Sequence, residues 1–173
     1  MKFLVVSDTH GCLDNLKYLA AKLKRNGITH ALHLGDDYND ALILIDSGLN
    51  VYRVPGVFSP YYKDPAVHNR LLVELGGKTF ILTHTQKPHD NDLESDLDPN
   101  EMAQSEKPAM VFYGHTHLPA IEHRDGVTWV NPGHLKTEDK KGSPASYALV
   151  DTESDPVKVQ IIALDDDRVL MEN

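Results

Sequence analysis

The sequence predicts an α/β fold, with a parallel sheet in its N-terminal part and antiparallel strand pairs later. Three observations carry this. From Lys2 to Val54, short apolar runs alternate with segments of helical period, the β-α-β-α-β order of a parallel sheet. A Gly76-Gly77 pair then joins two strand-like runs as a hairpin. Further short apolar runs follow, divided by turn residues rather than by long helices.

Lys2 to Val6 is a short apolar run rich in β-branched and aromatic residues, the pattern of a buried strand. Leu13 to Asn26 carries apolar residues at 13, 16, 19, 20 and 23, one face of a helix, and Gly27 stands where the helix stops. Thr29 to Leu34 is the second strand. Tyr38 to Ile45 reads as a helix closed by Gly48, and Val51 to Val54 as the third strand. Arg70 to Leu75 and Thr79 to Thr83 form the hairpin. The polar stretch from Gln86 to Pro108 is long for a loop, so it is functional or holds a short helix near Pro99 to Ser105. Ala109 to Tyr113 is a strand. Ile121 to His123 and Thr128 to Val130 flank a turn at Asp125-Gly126. Tyr147 to Val150 and Val157 to Leu164 form a last antiparallel pair. Lys136 to Pro144 reads as a charged surface turn and Asp165 to Asp167 as a solvated one.

The chain of 173 residues is read as one domain, 1–173, with no repeat or linker. Hydrophobic residues at 40% and charged residues at 25% give a soluble globular composition. No apolar run is long enough to span a bilayer, and "MKFLVVSDTHG" has no signal-peptide pattern, so no membrane partner is expected. The single cysteine, Cys12, excludes an internal disulfide and fits a cytoplasmic location. A net charge of −9 disfavours duplex nucleic acid as a partner. It leaves room for a small phosphate ester, if metal ions supply local positive charge, and for a homo-oligomer.

Metal-capable side chains recur where strands end. "VVSDTHG" offers Asp8 and His10, "LHLGDDYND" offers Asp36 beside Asp37, "FILTHT" offers His84, and "VFYGHTHLP" offers His115 and His117. In open α/β sheets, sites form beyond the carboxyl ends of the strands, so residues far apart in sequence can converge. In an extended chain, His115 and His117 would point to the same side. Each piece has a plainer use, since Asp8 or Asp36 would serve equally as a helix cap. Recurrence at four strand ends favours the metal reading. Two Asp and four His without a thiolate suit manganese first, with iron, zinc or nickel as alternatives. Six ligands exceed one catalytic zinc and suit two divalent ions sharing a carboxylate. Such ions sit roughly 3.5–4 Å apart, where they clamp a phosphoryl group.

Asp8-Thr9-His10, Gly35-Asp36, His84 and Gly114-His115-Thr116-His117, in this order, resemble the calcineurin-like metallophosphoesterase family. They are most similar to its small bacterial and archaeal phosphodiesterase branch, whose late Asn-Pro-Gly turn is matched by Asn131-Pro132-Gly133. The resemblance covers nearly the whole chain. It implies a two-sheet β-sandwich flanked by helices. It also implies Asp8, His10 and His117 on a first metal, His84 and His115 on a second, and Asp36 bridging them. The implied activity is phosphodiester hydrolysis by attack of a metal-bound hydroxide on phosphorus.

The sequence departs from the family after the third strand. "VPGVFSP" keeps Gly56 but sets Val57 where the family has an Asn ligand of the second metal, then Phe58 and Ser59 where it has a His or Cys and an acid. Three readings stay open. Water, Asn39 or Asp40 fills the position; the second metal is held loosely; or catalysis is lost and the fold serves as a metal-binding scaffold, as in the small subunit of the retromer coat. Cys12, His68, His89, Asp90, His134, Tyr61 and Tyr62 are further candidates near the site, each with packing or solvation as its plainer use.

Overall fold

The computed structural model describes residues 1–173. Its strands are β1 (Lys2–Val6), β2 (His30–His33), β3 (Asn50–Arg53), β4 (Arg70–Leu75), β5 (Lys78–Thr83), β6 (Met110–Phe112), β7 (Ala120–Arg124), β8 (Val127–Asn131), β9 (Ser146–Asp151), β10 (Lys158–Ala163) and β11 (Val169–Glu172). Its α-helices are α1 (Leu13–Arg25), α2 (Leu42–Asp46) and α3 (Pro99–Glu106). Two sheets form, ordered β11-β10-β9-β1-β2-β3 and β4-β5-β6-β8-β7. The expected sandwich of two sheets between helices is the observed fold.

The alternation of side chains along each strand explains the layers. In β1, Phe3 and Val5 face the second sheet, whereas Leu4 and Val6 face the helices. That is why β1 is apolar from Phe3 to Val6: both of its faces are covered there. In β5, Phe80 and Leu82 point into the sandwich and Ile81 points toward α3; Met110 and Phe112 of β6 point inward and Val111 outward. Phe3, Phe80 and Phe112 meet in the central layer with ring centroids 5.3–6.1 Å apart. Helix α1 buries Leu16, Leu19, Ala20 and Leu23 on the first sheet, the face its period predicts. Helix α3 starts at Asp98, whose side chain accepts the Asn100 N–H at 2.8 Å, with Pro99 in the first turn.

Two expectations need correction. The helix predicted over Tyr38 to Ile45 is split into a 3₁₀ turn, Tyr38–Ala41, and α2. There Arg53 Nη1 donates to the Tyr38 carbonyl at 3.0 Å. A strand beyond Asp167, β11, was not foreseen; it is a short edge strand with exposed Val169 and Met171, so its burial signal is weak. The Asp165–Asp167 turn is present, with Asp167 paired to Lys22.

Strands β1, β2 and β3 run parallel, as do β5, β6 and β8. Their carboxyl ends open at one edge of the sandwich, and every predicted ligand follows one of them. No helix is long and apolar enough to cross a membrane.

Candidate metal centre

The loop after β1 carries Asp8 and His10, the loop after β2 carries Asp36, and the loop after β6 carries His115 and His117. Asp8, His10, Asp36 and His117 each bring a ligand atom to a cluster in which all such atoms lie within 4.8 Å of one another. His10 Nδ1 is 2.6 Å from Asp36 Oδ2, and His10 Nε2 is 2.9 Å from His117 Nε2. His117 Nε2 is also 3.6 Å from Asp8 Oδ1.

His84 and His115 lie outside this quartet, with ring centroids 5.2 Å apart. His84 Nδ1 donates to the Leu34 carbonyl at 2.6 Å, so the neutral ring has its lone pair on Nε2. That Nε2 is buried and has no hydrogen-bond partner in the chain. A buried acceptor with nothing to accept is costly unless a cation takes the lone pair.

The backbone around the site is unusual. Asp8, His10, His115 and His117 have φ of 51°, 46°, 68° and 62°, in the left-handed region that residues with a Cβ rarely adopt. Such conformations cluster at functional sites, where the surrounding structure holds them. They also correct one premise. His115 and His117 are not in extended chain and do not act as a pair: His117 turns to Asp8 and His10, while His115 turns to His84.

The loop that carries them is held from two sides. Asn131 Nδ2 donates to the Gly114 carbonyl and to Thr116 Oγ1, both at 2.9 Å. This gives the Asn131-Pro132-Gly133 turn a positioning role. The His115 N–H reaches the Asp8 carboxylate at 3.0 and 3.2 Å. Gly114 is required by close approach, because a Cβ there would lie 1.9 Å from Ser7 Oγ and 2.8 Å from Asp8 Oδ2.

The electrostatics follow from burial and neighbours. Burial pushes the Asp8 carboxyl up to about 6, against the charges of His117 and His10. Burial also acts to raise Asp36, but the His10 hydrogen bond and the charges of His10, His84 and His117 outweigh it and hold the carboxyl below its ordinary value. The Asp36 hydrogen bond raises His10. Burial lowers His84, and burial with the like charges of His84 and His89 brings His115 down to about 4. Neutral imidazoles and an ionised, centrally placed Asp36 suit a cation.

Asp139 is the site residue that sequence reasoning missed. Its Oδ2 is 2.7 Å from His117 Nδ1 and 3.0 Å from Lys136 Nζ, with the carboxylate only 4% exposed. The loop read as a charged surface turn thus folds onto the site. Orienting carboxylates behind metal-binding histidines are common, but a "KTEDKKG" run gives no sign of one.

Asp40 Oδ2 accepts from Thr9 Oγ1 at 2.6 Å and from the Gly11 N–H at 2.9 Å, and Asn39 Nδ2 donates to the Tyr61 hydroxyl at 2.9 Å. Val57 is buried, and its carbonyl accepts from Asn91 Nδ2 at 2.9 Å. Phe58 is 75% exposed and faces His89 and His115. Tyr62 is buried and donates to Asp92. His134 is tied at both nitrogens, to the Ser143 carbonyl and the Lys136 N–H. His68 lines a cavity with Arg70 and Leu97. Cys12 precedes α1 without making a side-chain cap.

A 61-residue segment is 38% identical to the phosphodiesterase YfcE of Escherichia coli, covering 35% of this chain and 30% of that protein's length. The solved structure of YfcE, described as a phosphoesterase, superposes with a TM-score of 0.72 at 24% identity, covering 100% of this chain and 98% of that one. A Vps29 variant from Entamoeba histolytica superposes at 0.70 with 18% identity, covering 100% and 97%. At these identities the superpositions show the fold. The model of the calcineurin-like phosphoesterase superfamily domain matches residues 1–155, and the chain belongs to that superfamily.

Proposed function

We propose that the protein is a divalent-metal-dependent phosphodiesterase acting on a small phosphate ester. The observation that carries this is the quartet Asp8, His10, Asp36 and His117, drawn together from three strand ends. Asp8, His10 and His117 would hold one ion, His84 Nε2 and His115 a second, and Asp36 would bridge them. Bound divalent ions, manganese first, would offset phosphoryl charge and lower the pKa of a coordinated water toward neutrality.

The chain's own residues set the geometry for that chemistry. Asp139 holds His117 with its Nε2 among the quartet's ligand atoms, and the Leu34 carbonyl fixes the His84 hydrogen on Nδ1, which leaves the lone pair on Nε2. Asn131 and Asp8 hold the loop that carries His115 and His117. The cytoplasm is the compartment that a single cysteine fits.

A second reading is a metal-binding scaffold with little turnover. Val57 favours it, because an isopropyl group supplies no ligand to the second ion. The deciding experiment is hydrolysis of an aryl phosphodiester with and without manganese. Turnover that needs manganese and stops with chelator supports the enzyme. No turnover with both ions bound supports the scaffold.

A further inference from the structure

The segment between β5 and α3 brings His89 to the second half of the site. Its ring lies 6.0 Å from His115 and 5.9 Å from Phe58, between centroids. The segment is not a loose loop. The Arg70 side chain, 3% exposed, binds Asp92 at 2.7 Å and approaches Asp96 at 3.6 Å. Asp92 also accepts from the Tyr62 hydroxyl at 2.6 Å and from the His89 N–H at 3.0 Å. Asp96 accepts from Asn69 and from the Leu93 N–H. Three side chains of the fold, Arg70, Tyr62 and Asn69, therefore fix where His89 sits.

The tautomer of His89 is also fixed. The Asn91 N–H donates to His89 Nδ1 at 3.1 Å, so Nδ1 is the acceptor and the hydrogen of the neutral ring is on Nε2. This has two consequences. With its hydrogen in place, Nε2 has no lone pair for a metal. Giving that hydrogen away would leave an imidazolate, so the ring in this state is a poor acid. What it offers is a fixed N–H donor beside the site.

We infer that His89 is a catalytic residue of the hydrogen-bonding kind: its Nε2–H donates to a phosphoryl oxygen of the bound ester, and it neither ligates metal nor protonates the leaving group. The inference rests on the phosphoesterase reading. Fixed donors aimed at developing oxyanion charge are among the larger contributions to catalysis.

Two substitutions separate the parts of the ring. His89→Asn keeps an acceptor near Nδ1 and loses the donor. His89→Gln keeps an N–H near Nε2. Manganese affinity is measured first by calorimetry, then inorganic phosphate binding to the manganese-loaded proteins. The expected result is that phosphate binds about tenfold more weakly to the Asn variant and within about threefold of the parent to the Gln variant. Manganese affinity is expected to be the same in all three. Unchanged phosphate binding in the Asn variant overturns the assignment, as does phosphate failing to bind the parent. A manganese affinity that drops in both variants makes His89 a ligand and overturns it too. Phosphate binding that behaves as expected in a parent without turnover upholds the donor and defeats the phosphodiesterase reading alone.

Discussion

Replacing Asp139 tests whether a residue outside the metal-binding set governs the metal. Its carboxylate accepts from His117 Nδ1 at 2.7 Å, from Lys136 Nζ at 3.0 Å and from the Lys141 N–H at 2.9 Å. The His117 contact, first among these, holds the Asp139 carboxyl well below the usual carboxylate range. The bond keeps the His117 hydrogen on Nδ1, which leaves Nε2 free to coordinate and makes the ring a better ligand. Losing a partner of this kind weakens metal binding about 10–100-fold, equivalent to ~1.4–2.7 kcal/mol. Asp139→Ala removes the acceptor and the charge, so it should fall in that range. Asp139→Asn keeps an acceptor without the charge and should lose about half as much free energy. Calorimetric manganese titration of the three proteins at pH 7 measures this. An Ala variant that binds within about twofold of the parent would refute the orienting role.

Three further outcomes are expected. Asp8→Asn should make the metal-free fold more stable at pH 7. A carboxyl raised from 3.8 to about 6 binds its proton better folded than unfolded, so its ionisation costs stability as pH rises through that window. The gain is ~1–3 kcal/mol in urea unfolding with chelator present, and manganese should no longer stabilise the variant; a less stable variant contradicts this. Gly114→Ala should lose ~1–3 kcal/mol and most metal affinity, because the added methyl meets Ser7 and Asp8; thermal melts and metal titration equal to the parent would show that the loop yields. Val57→Asn buries an amide, so it should destabilise the metal-free protein by ~1–3 kcal/mol and tighten the weaker metal site. Unchanged metal affinity in that variant would mean the side chain does not reach the ion.

The parts of the molecule legible in the sequence share a physical cause. Strands β1 and β5 declare themselves because both faces are buried, and α1 because one face is. The six candidate ligands stand out because each follows a strand end within a few residues. What was not legible depends on contacts distant in sequence or on backbone conformation. Asp139 meets His117 across 22 residues, within a charged run that looks solvated. The divergence of His115 from His117 depends on left-handed φ values that no spacing rule announces. The engagement of Asp40 by Thr9 could not be seen before the loops after β1 and β2 were placed side by side. Strand β11 is an edge strand with little buried surface, so the pattern there is faint.

The most direct measurement is a manganese titration followed by electron paramagnetic resonance, which counts bound ions and detects whether two of them share a bridge. The parent is predicted to bind two manganese ions per chain, with the second weaker and spin-coupled to the first. Asp36→Ala is predicted to abolish the coupling and at least one site. No bound manganese in the parent, or a coupled pair that survives Asp36→Ala, would contradict a two-metal centre built on Asp36.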